Sequence, residues 1–104
     1  MVKIMLCCSA GMSTSLLVRK MVEAANERGL EVDIQAYGVA EFDDRFPHYQ
    51  VVLLGPQVKY MLKTLSEKAA TQGIPVQPID PMDYGMQLGD KVLDYALSLI
   101  NAVH

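Results

Sequence analysis

Two adjacent cysteines, Cys7 and Cys8, stand at the end of an apolar run that begins at Val2. The stretch that follows, Ser9-Ala10-Gly11-Met12-Ser13-Thr14-Ser15, is made mostly of small and hydroxylated residues. Such a stretch can wrap an anion. Successive backbone N–H groups turn inward, Gly11 permits the turn, the hydroxyls of Ser13, Thr14 and Ser15 donate, and the start of the next helix adds positive potential. A thiol at the head of such a loop ionises readily and becomes a nucleophile, and the same donors then hold the oxygens of a transferred phosphoryl group. Cys8 is the candidate catalytic residue and Ser9 to Ser15 the candidate phosphate-binding loop. The plain alternative for Cys8, a buried strand-end cysteine, is the commonest fate of a lone thiol. Cys7 continues the apolar strand, points the opposite way and reads as core.

For this loop to work, a strand must deliver Cys8 and a helix must follow. Val2 to Cys7 is nearly all apolar, as expected of a strand buried on both faces in a parallel sheet. A helix is expected from about Thr14, where Leu17, Met21, Ala24, Ala25 and Arg28 recur at helical spacing and Gly29 stands ready to end it. Glu31 to Tyr37 alternates in the manner of a half-exposed edge strand, and Val39 to Phe46 has room for a short helix. Val51 to Leu54 is a second central strand, broken by Gly55-Pro56. Val58, Met61, Leu62, Leu65 and Ala69 mark a third helix ended by Gly73. Val76 to Ile79 is a short strand that Pro78 confines to an edge, and Leu93, Ala96, Leu97 and Ile100 belong to a last helix. Alternating strands and helices imply an α/β, single-domain, four-stranded parallel sheet of order 2-1-3-4 with helices on both faces, a flavodoxin-like winding. The strand order then reverses beside the first strand, so the Cys8 loop opens into the crevice where such sheets bind ligands.

Composition narrows the function. At 104 residues and 51% apolar, the chain suits one domain spanning 1–104. A net charge of −3 with nine scattered Lys and Arg gives no basic stripe, so nucleic acid and anionic membrane are poor partners. The first apolar run is too short to span a membrane and has no signal-peptide cleavage region, and adjacent cysteines make a poor disulfide; a reducing cytoplasmic setting is expected.

The run CSAGMSTSLLV, with VVLLGPQ in the third strand and a late Tyr-Gly, resembles the IIB component of bacterial sugar phosphotransferase systems (PTS), lactose/cellobiose (chitobiose) class, over nearly the whole chain. The resemblance implies a phosphocysteine carrier, a protein-phosphohistidine–sugar phosphotransferase without a bound cofactor. The IIA partner's phosphohistidine would donate to Cys8, which would pass the phosphoryl group to a sugar, such as a beta-linked disaccharide, held by the IIC membrane permease. Ser9 to Ser15 would be the cradle, and the sugar itself is not specified.

Low-molecular-weight tyrosine phosphatases share this fold and a cysteine loop, but their pattern needs an Arg where this chain has Thr14. Without that bidentate fork the loop lacks the group that stabilises transferring phosphoryl oxygens during hydrolysis. A carrier gains from the loss, since its adduct must survive. Asp80-Pro81 points the other way, because the phosphatases place a general-acid Asp before Pro; a turn cap is the plain alternative. A cysteine phosphatase is the rival reading. Arsenate reduction is further off, because it needs resolving thiols and only Cys7 is at hand.

Three residues are candidates for the site's border: Gln57 as a donor to the loop or as part of a strand terminator, Asp80 as acid or cap, and Tyr84 as a wall of the site or a packing side chain. Arg19, Lys20 and Lys59 are placed to steer an acidic partner or simply to be solvated, and Met12 to meet one. His48 and His104 are isolated, so no metal site is expected.

Overall fold

The computed structural model of the chain describes residues 1–8 and 14–103. Ser9, Ala10, Gly11, Met12 and Ser13 of the expected cradle, and His104, lie outside the described residues. Four strands, β1 (Val2–Cys8), β2 (Val32–Gly38), β3 (Val51–Leu54) and β4 (Val76–Pro78), form one parallel sheet in the order β2-β1-β3-β4. The helices are α1 (Ser15–Glu27), α2 (Phe42–Arg45), α3 (Leu62–Ala70), α4 (Pro81–Gly85) and α5 (Gly89–Val103).

The alternation of β1 sorts the core. Ile4 and Leu6 face α1 and α5, where they join Leu17, Met21, Leu93 and Ala96. Met5 and Cys7 face the other way, against Phe42, Val58, Leu65 and Ala69. Every residue from Ile4 to Cys8 and from Val51 to Leu54 is buried, as two central strands covered on both faces must be. Burying one such aliphatic side chain fully is worth about 1.5–3 kcal/mol, so the two strands anchor the sheet. β2 and β4 are the edges. Pro78 sits opposite Leu54 at the last register position of β4, where its missing N–H leaves no ladder bond unmade in a neighbouring strand.

Three local departures from the sequence pattern have physical causes. Arg28, at the end of the α1 stripe, is exposed rather than core: its charge is costly to bury, and its guanidinium instead pairs with Asp94 and donates to the Asp90 carbonyl (3.4 Å) on α5. The third helix begins later than Val58. Pro56–Met61 is a 3-10 stretch with Val58 at φ −119°, ψ 17°, and regular α3 starts at Leu62. Finally, α4 is a short helix on Asp80-Pro81 that hydrophobic spacing does not announce, because it spans only five residues and buries none of them fully.

Gly29 and Gly73 do terminate their helices. Each adopts a left-handed conformation, φ 69° and 70°, and the next residue's N–H reaches back to close the end, Leu30 to Ala25 O at 2.9 Å and Ile74 to Ala69 O at 3.1 Å. The same closure follows α4, with Leu88 N–H donating to Asp83 O at 2.9 Å, but the left-handed residue there is Gln87, at φ 55°.

Candidate functional site

β1 runs one residue further than its apolar pattern, and Cys8 is its last residue, paired with Gly38 of β2 and 1% exposed. It lies where the chain leaves the sheet between two neighbours reached by opposite crossovers, the point of reversal expected for a ligand crevice. Thr14 returns to it from the other end of the loop. Thr14 is fully buried, and its Oγ1 lies 3.5 Å from Cys8 Sγ, within hydrogen-bond reach of sulfur. As the residue before α1, Thr14 caps no helical N–H with its side chain; the hydroxyl goes to the sulfur instead. Ser15, the first residue of α1, is exposed.

Cys7 and Cys8 have opposite surroundings. Burial, reinforced by the neighbouring Cys8, pushes the Cys7 thiol up to about 12. At neutral pH Cys7 is a protonated core side chain, so of the two cysteines Cys8 is the candidate nucleophile.

The wall beside Cys8 comes from the end of β3. Gly55 is buried, and its N–H donates to Cys7 O at 2.8 Å, which ties it to the end of β1. A Cβ on Gly55 would stand 3.6 Å from Cys8 Cβ and only 2.7 Å from Gln57 Oε1. The Gln57 side chain therefore folds back across Gly55, and its Nε2 donates to the Tyr84 hydroxyl at 3.1 Å. Tyr84 is half-buried and packs against the α1–α5 side of the core. Asp80 caps α4, with Oδ1 accepting from Met82 N–H at 2.8 Å and Asp83 N–H at 3.4 Å, so its carboxylate serves as a cap.

Arg19, Lys20 and Lys59 are all exposed. Lys59 lines a hollow of about 460 Å³ with Ile79, Asp80, Asp83, Val92 and Tyr95, on the β4 flank; Cys8 is not in its wall, so its size does not make it the reacting centre. His48 is exposed, and among the described residues no group of three metal-binding side chains comes together. Two site roles escaped the sequence. Gly55 reads there as a strand breaker, although a glycine closing a buried strand next to an anion loop is also a signal of close approach. Thr14 reads there as a hydroxyl of the cradle and as the residue standing where a hydrolase needs Arg, and its contact with the sulfur itself is not written in the sequence.

Comparison with known proteins decides the family. Residues 3–95 match the family described as PTS system, Lactose/Cellobiose specific IIB subunit. The chain belongs to that family. This IIB subunit is 47% identical over 103 residues to the PTS system galactose-specific EIIB component of Lactococcus lactis subsp. cremoris, covering 94% of this chain and 95% of that protein. It is 46% identical over the same length, with the same coverage, to the cellobiose-specific EIIB component of Lactococcus lactis subsp. lactis. Its fold matches the solution structure of the cellobiose-specific phosphotransferase IIB component from Borrelia burgdorferi with a TM-score of 0.81 and 36% identity, over 97% of this chain and 93% of that one. This IIB subunit is thus a sugar phosphotransferase component of lactose/cellobiose type, and no helix among its described residues is long and apolar enough to cross a membrane.

Proposed function

We propose that this IIB subunit carries a phosphoryl group on Cys8, in the cytoplasm, between a phosphohistidine of a IIA component and a sugar held by a IIC permease. The observation that carries the reading is the pairing of Cys8 Sγ with the buried Thr14 hydroxyl, at the position where a hydrolase loop needs an Arg. In the first transfer the Cys8 sulfur attacks phosphorus, the S–P bond forms and the P–N bond breaks. The electron pair goes to the imidazole nitrogen, which takes up a proton. In the second, a sugar hydroxyl attacks phosphorus, the S–P bond breaks with its pair returning to sulfur, and the hydroxyl proton leaves. Catalysis of this kind is mostly positioning and charge stabilisation. Ser9 to Ser15, with the N-terminus of α1, are the donors assigned to the phosphoryl oxygens.

Two further observations support a carrier over a phosphatase. Asp80 spends its carboxylate on the cap of α4, and of the six large exposed apolar side chains among the described residues four, Leu16, Tyr60, Met82 and Met86, lie in the segments that follow β1, β3 and β4, as a protein-docking rim on the Cys8 side of the sheet requires, while Met1 and Tyr95 lie elsewhere. The galactose- and cellobiose-specific relatives are almost equally similar, so the sugar class proposed is no finer than a beta-linked disaccharide or related sugar.

The test is incubation with a phosphohistidine donor system followed by intact mass, for wild type, Cys8→Ser and Cys7→Ser, alongside phosphate release from an aryl phosphate. A stable adduct lost only in Cys8→Ser is expected. Rapid aryl phosphate turnover would transfer the assignment to a phosphatase, and no adduct with any donor would leave an anion-binding module.

A further inference from the structure

We infer that Asp80, Tyr84 and Gln57 form a positioning relay, in which a capped α4 holds the Tyr84 hydroxyl and that hydroxyl holds the Gln57 carboxamide across Gly55 beside Cys8. The inference rests on the reading of Cys8 as the reacting group, and it assigns work to three residues that the transfer chemistry itself leaves over.

Gln57 is exposed, and confining a glutamine costs side-chain freedom. Yet its carboxamide is held by Tyr84 and lies close over Gly55. Nε2 donates to Tyr84 at 3.1 Å, and Oε1 occupies space that any Cβ at position 55 would invade, at 2.7 Å. Gly55 is itself bonded to Cys7 O at 2.8 Å, and a Cβ there would stand 3.6 Å from Cys8 Cβ, so the amide lies over a backbone position tied to the end of β1.

Tyr84 can do the holding because its ring packs on the core. Its helix could not persist alone, since five residues are far too few to repay helix nucleation. Asp80 supplies what is missing. Its Oδ1 satisfies the first N–H groups of α4, its backbone carbonyl accepts from Tyr84 N–H at 2.9 Å, and Pro81 at the first helical position pre-sets the backbone. The amide so placed is neutral, which suits a wall facing a group that gains negative charge, where a carboxylate would repel it.

The experiment measures the rate of adduct formation on Cys8 at varied donor concentration, with melting temperatures, for Tyr84→Phe, Gln57→Ala, the double variant, Asp80→Ala and Asp80→Asn. Tyr84→Phe should lower the saturated rate about 3–10-fold, the worth of one hydrogen bond, with little change in donor KM or in melting temperature. In the Gln57→Ala background the same substitution should cost nothing further. Asp80→Ala should lower the rate, and Asp80→Asn, which still caps, should restore it. A full Tyr84→Phe effect without Gln57, a rate loss that follows melting temperature, or Asp80→Asn behaving as Asp80→Ala would overturn the relay. Iodoacetamide alkylation of Cys8 separates this from the function itself. If wild type accepts no phosphoryl group, the carrier reading fails, while an alkylation rate altered by Tyr84→Phe only when Gln57 is present still upholds the relay and an unaltered rate overturns it.

Discussion

Cys7 and Cys8 are the same side chain one residue apart, and the pleat of β1 turns them to opposite faces of the sheet. Cys7 points into the apolar layer under α2 and α3, where ionisation would leave a charge without solvent. Its raised value has a thermodynamic consequence. The unfolded chain releases the Cys7 proton from about pH 9, while the folded chain keeps it to about pH 12. Folded Cys7 therefore binds more protons across that window, and its contribution to stability is complete below pH 9 and is lost as pH rises towards 12. The slope is about 1.4 kcal/mol per pH unit. Urea unfolding of wild type and Cys7→Ala under reducing conditions at pH 8 and 10.5 should show the wild type losing about 2 kcal/mol more than the variant. Equal losses would mean that Cys7 does not titrate in this way. At this scale the opposite facing of Cys7 and Cys8 at the end of β1 was legible in the sequence, because strand alternation is a local pattern.

Helix ends show how much an element owes to single residues. α1 and α3 close with glycine in the left-handed region, and both glycines stand out in the sequence after their hydrophobic stripes. α4 closes with the same hydrogen bonds but places Gln87 there, a conformation that costs a residue with a Cβ about 1–2 kcal/mol. Gln87→Gly should relieve that strain, less the added freedom of the unfolded chain, for a net gain of about 0.5–1 kcal/mol and a melting temperature about 4 °C higher. A lower melting temperature would show that the Gln87 side chain contributes more than its backbone costs. This helix was invisible to periodicity, since hydrophobic spacing needs several turns to register. Asp80-Pro81 was the available signal, and it serves equally well for a cap, a turn or a catalytic acid.

Across the whole molecule, β1, β3 and β4 run parallel, so their C-terminal ends lie on one side of the sheet, and the three segments that follow them carry the exposed Leu16, Tyr60, and Met82 with Met86. Tyr60 is 81% exposed, so it has little to do with holding the fold. Tyr60→Ser should leave the melting temperature and the alkylation rate of Cys8 unchanged and raise the donor KM about 5-fold or more, the loss of one aromatic anchor at a transient interface. An unchanged KM would place donor docking elsewhere. Outside this rim the charge pattern is ordinary: Lys68 with Asp43 at 3.1 Å and Arg45 with Glu41 at 3.8 Å are exposed pairs of small energetic weight.

The sequence by itself determined the winding of the sheet, its central strands, the helix stripes and the family, because each of these is written in spacing of 2 or 3.6 residues or in a contiguous motif. Only the tertiary structure decided that the Thr14 hydroxyl returns to the sulfur, that Gly55 makes room for Gln57, and that Asp80 caps the helix carrying Tyr84. The Cys8–Thr14 contact closes the segment after β1, and the hydrogen bond from Gln57 to Tyr84 joins the segments after β3 and β4. Spacing of 2 or 3.6 residues encodes neither, and the second exists only once the packed sheet has brought its C-terminal ends together.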